Sequence, residues 1–176
     1  MKYNTYIGID PGKMGAIVAI RSHSGNITTY KMPMLDKKSY NMPYLLQVLK
    51  SFKTETDNPI VVFEDVHSVY GTSSRSNFQF GYGVGIVEAM IVAAELPFVK
   101  VQPKQWQKLC LQGVPVLYKG KTTAGKDKVD TKGMATVAAT RLFPTFVLNF
   151  GGRAEKPHDG LVDALLLANY GKQTIV

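Results

Sequence analysis

Four carboxylates stand out because otherwise apolar segments deliver them. Asp10 follows Tyr6-Ile-Gly-Ile9, Glu64 follows Ile60-Val-Val-Phe63, and Asp159 and Asp163 sit in a stretch otherwise made of Gly, Leu, Val and Ala. A carboxylate at the edge of a core is costly unless a metal ion or a cationic group compensates it. Three apolar elements that each carry one therefore point to shared chemistry. Such oxygen donors suit a hard divalent cation, with magnesium favoured by availability and manganese as its substitute. Asp159 and Asp163 are four residues apart, so a helix would place them on one face. Two ions about 4 Å apart would then activate a water and stabilise the leaving oxygen of a phosphodiester. Each residue also has a plainer use. Asp10 before Pro11-Gly12 suits a turn, Glu64 suits an exposed strand end, and Asp159 suits a helix N-cap. His158 can donate to a carboxylate, ligate metal or assist proton transfer.

These residues need elements that bring them together. Tyr6–Ile9, Gly15–Ile20 and Ile27–Lys31 read as three strands joined by short connections, an antiparallel meander. Residues 42–53 carry Leu45, Leu46, Leu49 and Phe52 at helical spacing. Ile60–Phe63 is a continuous apolar run of the kind a buried parallel strand shows. Residues 68–83, rich in Ser, Gly, Tyr and Asn, read as loop and helix entry, and a helix is expected over 84–95. Pro97–Val101 reads as a strand, and Pro103 can open a helix through Leu109. Helices are expected over 133–143 and 159–170, the second almost wholly apolar around its carboxylates. The expected fold is α/β, a mixed five-stranded sheet of three antiparallel and then two parallel strands, flanked by helices. One domain spanning 1–176 is expected, with a basic loop at about 113–132.

Composition narrows the function classes. The chain has 176 residues, a net charge of +8 and 45% hydrophobic residues, too apolar for a disordered basic tail. Residues 1–99 hold nine basic and eight acidic residues, and 142–176 hold three of each. Residues 100–141 hold nine against two, so the excess sits in one quarter of the chain. A lysine-rich stretch with glycines (YKGKTTAGKDKVDTKG) suits a polyanion, although a solvated loop would also be rich in lysine. No run of 18 apolar residues is present, so no membrane span is expected. The N-terminus lacks a signal-peptide core, and the lone Cys110 rules out a disulfide framework or Cys-rich zinc site. A reducing, cytoplasmic setting is expected.

The ordered motifs resemble the RuvC-like Holliday-junction resolvases of the ribonuclease H superfamily, in the diverged form found in phages. The resemblance rests on Ile7-Gly-Ile-Asp-Pro-Gly12 with Gly15, Val61-Val-Phe-Glu64, Val101-Gln-Pro-Lys-Gln-Trp106, Lys132 with the Ala-rich stretch ending in Phe143-Pro144, and His158-Asp-Gly-Leu-Val-Asp-Ala-Leu165. It implies a magnesium-dependent endonuclease with two ions per active site, nicking opposed strands of a four-way DNA junction in recombination and repair. It implies Asp10, Glu64, Asp159 and Asp163 as catalytic metal ligands. In bacterial members the partner of the final aspartate often lies three residues before it, which here is Gly160; Asp159 is the choice and His158 the alternative. Asp65 and Glu155 are outer candidates. Lys132 would stabilise charge in the transition state, while Lys104, Lys108, Lys119, Lys121, Lys126 and Lys128, with Lys132, would hold DNA. A homodimer is implied, through a helix from 78–95. There Gly81, Gly83 and Gly85 permit close approach, and Phe78, Phe80 and Tyr82 can pack a partner or wedge between bases. Ser68–Asn77 would lie over the junction centre.

Other readings share parts of this pattern. Asp10-x-Gly12-x-x-Gly15 resembles the first phosphate loop of actin-like ATPases and sugar kinases, but no second phosphate motif follows. A ribosomal-RNA processing nuclease with a ribonuclease H-like core would match in size and basicity but not in the final Asp-Ala-Leu helix. A broader branched-DNA nuclease, a ribonuclease H acting on hybrids, and a junction-binding protein without chemistry remain alternatives.

Overall fold

The computed structural model describes residues 3–55, 58–65, 73–121, 125–151 and 156–175. Strands β1 (Thr5–Ile9), β2 (Ala16–Arg21) and β3 (Ile27–Lys31) form the meander, followed by helix α1 (Met42–Glu55) and strand β4 (Pro59–Glu64). Helix α2 (Ser74–Ala93), strand β5 (Phe98–Val101) and helix α3 (Pro103–Cys110) come next. A hairpin of β6 (Tyr118–Lys121) and β7 (Asp127–Val129) leads to helices α4 (Thr131–Leu142) and α5 (Asp159–Thr174). The main sheet has five strands in the order β3-β2-β1-β4-β5. β1 pairs antiparallel with β2 and parallel with β4, and β4 pairs parallel with β5. The expected fold class is the observed one.

β1 and β2 are apolar on both faces because helices cover both. Ile7, Ile9, Ile17, Val61 and Phe63 pack with Leu45, Leu49 and Phe52 of α1 and Ile86, Val87 and Ile91 of α2. Val18, Ile20 and Val62 pack on the other side with Trp106 and with Leu161 to Ala168 of α5. That sandwich explains why α5 shows no polar face: Leu161 through Asn169 are buried apart from the half-buried Asp163.

α5 lies unusually close to the sheet. A Cβ on Gly8 would fall 1.9 Å from the Ala164 carbonyl oxygen and 2.5 Å from the Ala168 nitrogen. Farther along, a Cβ on Gly171 would meet Val62 Cγ2 at 2.6 Å. Glycines at the crossing points and alanines opposite set the helix–sheet separation.

Two expectations need correction. The helix entry expected within 68–83 is there, but the helix starts earlier than 84: 73–83 belongs to α2 and its cap, ten residues ahead of the expected start, while 68–72 lies outside the described residues. Ser73 Oγ caps the helix by accepting the Ser76 N–H at 3.1 Å, and burial of Gly83, Ile86, Val87 and Ile91 offsets the poor propensity of its glycines. The basic stretch is not simply loop either. It carries the β6–β7 hairpin, in which every described residue is exposed, so no hydrophobic alternation marks its strands.

Gly8→Ala should cost about 3 kcal/mol of stability, at the upper end of overpacking changes, because the atoms it strikes are helix backbone. Urea unfolding checks this; a midpoint equal to wild type would mean that α5 can stand off the sheet.

Candidate active site

β1 and β4 run parallel with Ile9 opposite Phe63, so Asp10 and Glu64, one step on, leave the sheet side by side on strands about 4.8 Å apart. The carboxyl ends of parallel strands are where ligands usually sit in such sheets. Asp10 opens a tight turn. Its Oδ1 accepts the Gly12 N–H at 3.0 Å, its N–H bonds the Ala16 carbonyl at 3.0 Å, and a Cβ on Gly15 would lie 2.1 Å from the Asp10 carbonyl oxygen. Tyr40 Oη donates to the Pro11 carbonyl at 2.9 Å, and Gly83 of α2 makes room for that hydroxyl. Burial, and then the charge of Asp10, push the Tyr40 phenol up to about 12.

Glu64 is held from α3. The buried Trp106 donates its indole N–H to Glu64 Oε1 at 2.8 Å. Pro103 at the first turn and a reciprocal bond between Gln102 and Gln105 start that helix where Trp106 can reach back.

α5 brings the other pair. His158 is its N-cap, with Nδ1 accepting the Leu161 N–H at 3.2 Å, so the N-cap is not Asp159. The start of α5 is pinned to the β1–β2 turn by a bridge between Gly15 and Gly160. A Cβ at Gly160 would fall 2.4 Å from the Met14 carbonyl oxygen, 2.6 Å from Gly15 Cα and 2.9 Å from Asp10 Oδ2.

These elements enclose a cavity of about 480 Å³ lined by Asp10, Lys132, His158, Asp159, Gly160 and Asp163, among others. Glu64 does not line it but raises the carboxyl of Asp163 electrostatically. Asp163 is pushed up to about 7, first by burial, then by the charges of Asp10 and Glu64. Burial raises Asp10 most, against the pull of the Gly12 N–H, Lys132 and His158. Burial likewise raises Glu64, against the Trp106 hydrogen bond. Lys132, at the first turn of α4, donates to Asp159 Oδ2 at 2.5 Å, and that bond raises its own pKa.

Among the described residues no three His, Cys, Asp or Glu side chains are arranged to hold a metal ion. The donor chemistry nevertheless fits a hard divalent cation: carboxylate oxygens crowd one partly buried place with Lys132 as the cation bonded there. The placement shown directs Asp159 onto Lys132 instead of toward the other carboxylates.

The remaining expected residues lie elsewhere. Lys104 and Lys108 are exposed on α3, and Lys119, Lys121, Lys126 and Lys128 lie on or beside the β6–β7 hairpin, with Lys119 bonded to Asp130 at 2.6 Å. Asp65 does not line the cavity; its N–H continues the sheet by bonding the Val101 carbonyl. Glu155 lies outside the described residues. Sequence reasoning assigned no role to Tyr40, Trp106 or Phe150. The Gln-Pro-Lys-Gln-Trp106 cap pattern signalled the second of these, whereas Tyr40 in a Lys- and Ser-rich turn carried no signal.

A mixed five-stranded sheet in this order, flanked by helices, is a ribonuclease H-like fold. Its likeness extends over almost the whole chain to Thermus thermophilus RuvC. The structure of that protein in complex with a Holliday junction substrate is 13% identical with a TM-score of 0.51, covering 97% of this chain and 96% of that one. A further Thermus thermophilus RuvC structure is 16% identical with a TM-score of 0.50, covering 96% of each. By sequence, no family profile and no curated protein matches.

The charge state of Asp163 gives a test in metal-free protein. Its folded pKa of about 7 lies above the ordinary 3.8, so folding favours the protonated form. That stabilisation is complete below pH 3.8 and is lost as pH rises through 7. Asp163→Asn escapes the loss. It should match wild type near pH 4 and exceed it at pH 8 by up to about 4 kcal/mol, at 1.36 kcal/mol per unit. Urea unfolding in EDTA at the two pH values reads the difference, and a gap that does not widen with pH contradicts this account.

Proposed function

We propose that this protein is a metal-dependent, structure-selective endonuclease that resolves four-way (Holliday) DNA junctions by paired, symmetric nicks. The observation that carries the reading is the cavity in which Asp10, Asp159 and Asp163 meet Lys132, with Glu64 electrostatically coupled, on a RuvC-like fold. Magnesium, as two ions held by Asp10, Glu64, Asp159 and Asp163, would supply an activated water and neutralise charge on the phosphodiester. Asp10 is oriented by the Gly12 N–H and Glu64 by Trp106, so two of the four donors are fixed before anything binds. Asp159 is favoured over His158 as the fourth ligand. The His158 Nδ1 lone pair is taken by the Leu161 N–H, which leaves the ring proton on Nε2 and makes the free edge a donor. Lys132 stands where it can pass from Asp159 to a phosphate oxygen and stabilise the transition state. Lys104, Lys108, Lys119, Lys121, Lys126 and Lys128 would hold the DNA backbone.

The working unit is a homodimer of one-domain chains, because one cavity can cut only one of two opposed strands. α2 supports this. Phe78, Tyr82, Gly85, Ala89 and Val92 follow a four-three spacing along one exposed stripe, with Phe78 71% and Val92 59% exposed. A Cβ at Gly81 or Gly85 would touch nothing, so a second helix has room to approach. Such an enzyme would act in recombination and repair on cytoplasmic DNA, in the host cytoplasm for a phage-encoded chain.

Mobile four-way junctions, forks, flaps and RNA–DNA hybrids, each with magnesium and with EDTA, test the activity. Paired, ligatable nicks on the junction alone, abolished by EDTA, are expected. Equal cutting of forks and flaps would broaden the reading to branched DNA, hybrid cutting would make it a ribonuclease H, and binding without cutting would make it architectural. Asp10→Asn should keep junction binding and cut at least about a hundredfold more slowly. Phe78→Glu with Tyr82→Glu should convert a species of twice the 19.4 kDa chain mass into a monomer in sedimentation and uncouple the paired nicks. An unchanged mass would place the interface elsewhere.

A further inference from the structure

A second and larger concavity opens beside the carboxylate cavity. Its volume is about 1050 Å³, at the top of the range for small-molecule pockets and far more than an ion needs. It runs along β3 and the segment that follows, and it shares Met14 and His158 with the carboxylate cavity, so the two adjoin. Its lining interleaves aromatic and apolar side chains with lysines: Tyr44 and Phe150 with Lys13, Lys31 and Lys37. Among the described residues the acidic side chain lining it is Asp36, whose Oδ1 accepts the N–H groups of Lys38 and Ser39 at 2.6 and 2.7 Å.

The wall is built rather than incidental. Tyr30 is fixed edge-on against Phe52 of the core at 6.0 Å. Lys31 Nζ sits 5.3 Å from the centroid of Phe150, and Phe150 meets His158 edge-on at 5.0 Å. A cation and two rings thus step from the groove to the cap of the helix that carries Asp159 and Asp163. At the opening, Met14 is 77% and Tyr44 45% exposed, so both present apolar surface to whatever enters the groove.

We propose that this groove binds a short unpaired stretch of the DNA strand whose phosphate occupies the carboxylate cavity, with bases against Tyr44 and Phe150 and phosphates on Lys13, Lys31 and Lys37. The inference rests on the nuclease reading. Aromatic faces alternating with lysines are the chemistry that recognises single strands, because every base has a face to stack and every linkage a charge. Paired bases hide those faces, so a duplex arm gains nothing from Tyr44. The groove therefore favours substrates whose strands have come apart next to the cut. An acidic peptide would satisfy the lysines, but the adjoining cavity, read as one that cuts phosphodiesters, selects nucleic acid.

The test uses the whole protein in EDTA, so that nothing is cut. A labelled short thymidine oligomer and an abasic chain of equal length and charge are titrated by fluorescence anisotropy. Wild type should bind the thymidine oligomer about tenfold more tightly than the abasic one. Tyr44→Ala should cut that ratio severalfold by weakening thymidine binding and not abasic binding, and Tyr44→Phe should preserve it. A wild-type ratio near one, or a Tyr44→Ala effect equal on both probes, overturns the proposal. As a second readout, 4-thiothymidine in the oligomer should crosslink to peptides containing Met14, Tyr44 or Phe150. Crosslinks confined to the β6–β7 hairpin overturn it as well. Junction nicking is scored separately. Base-dependent binding without nicking would fail the nuclease reading alone, and nicking without base-dependent binding would fail the groove alone.

Discussion

The structure depends on how closely α5 can approach β1. The helix carries Asp159 and Asp163, while the partners of those residues, Asp10 and Glu64, stand at fixed strand ends. A side chain at Gly8 or Gly171 would hold the helix off the sheet. Ala164 and Ala168 serve the same end from the helix side, because their backbone comes within reach of Gly8. The site is therefore paid for in the core: small residues at the sheet centre forgo apolar contact so that four carboxylates come within electrostatic range.

That concentration of charge divides into a fixed and an adjustable half. Glu64 accepts from an indole that is itself buried, a hydrogen bond to a charged group worth roughly 1.5–3 kcal/mol. Asp10 is bound into its own turn, whose Pro11 carbonyl is tied down by Tyr40. Lys132 and Asp159 are more than half exposed, and such pairs contribute about 0–1 kcal/mol. Exchanging that pair for another cation on Asp159 and a phosphate on Lys132 is thus inexpensive, whereas moving Glu64 is not. Asp163, half-buried beside Asp10 and Glu64 and pushed up to about 7, carries the strain that a bound cation would relieve.

What was legible in the sequence follows from which interactions are local. Tyr6–Ile9 and Ile60–Phe63 are uniformly apolar because each is covered on both faces, and that uniformity made them readable as strands. The carboxylates were readable because they interrupt apolar runs. The start of α2 was legible only as a helix entry of uncertain place, since its glycines and serines have loop propensity and the helix is held by Ser73 and by the core under Gly83, Ile86 and Ile91. The β6–β7 hairpin was hidden for the opposite reason: it buries nothing. Tyr40 and Phe150 escaped notice because their partners, Pro11, Lys31 and His158, are distant in the chain or defined only by the fold.

Gly160 explains why no carboxylate stands three residues before Asp163. A carboxylate three residues before Asp163 would need a Cβ where the Met14 carbonyl and Gly15 Cα already lie. Those are backbone atoms, joined to α5 by the Gly15–Gly160 bridge, so no rotamer change makes room. With the β1–β2 turn closed onto the helix start, the acidic side chain stands at the adjacent position, more than half exposed on the rim. Asp159 is there, four residues before Asp163 and on the same face. The closure also places Met14 at the junction of the carboxylate cavity and the groove along β3. The tight turn that displaces the carboxylate therefore also forms the wall between the two concavities, and one local backbone constraint shapes both.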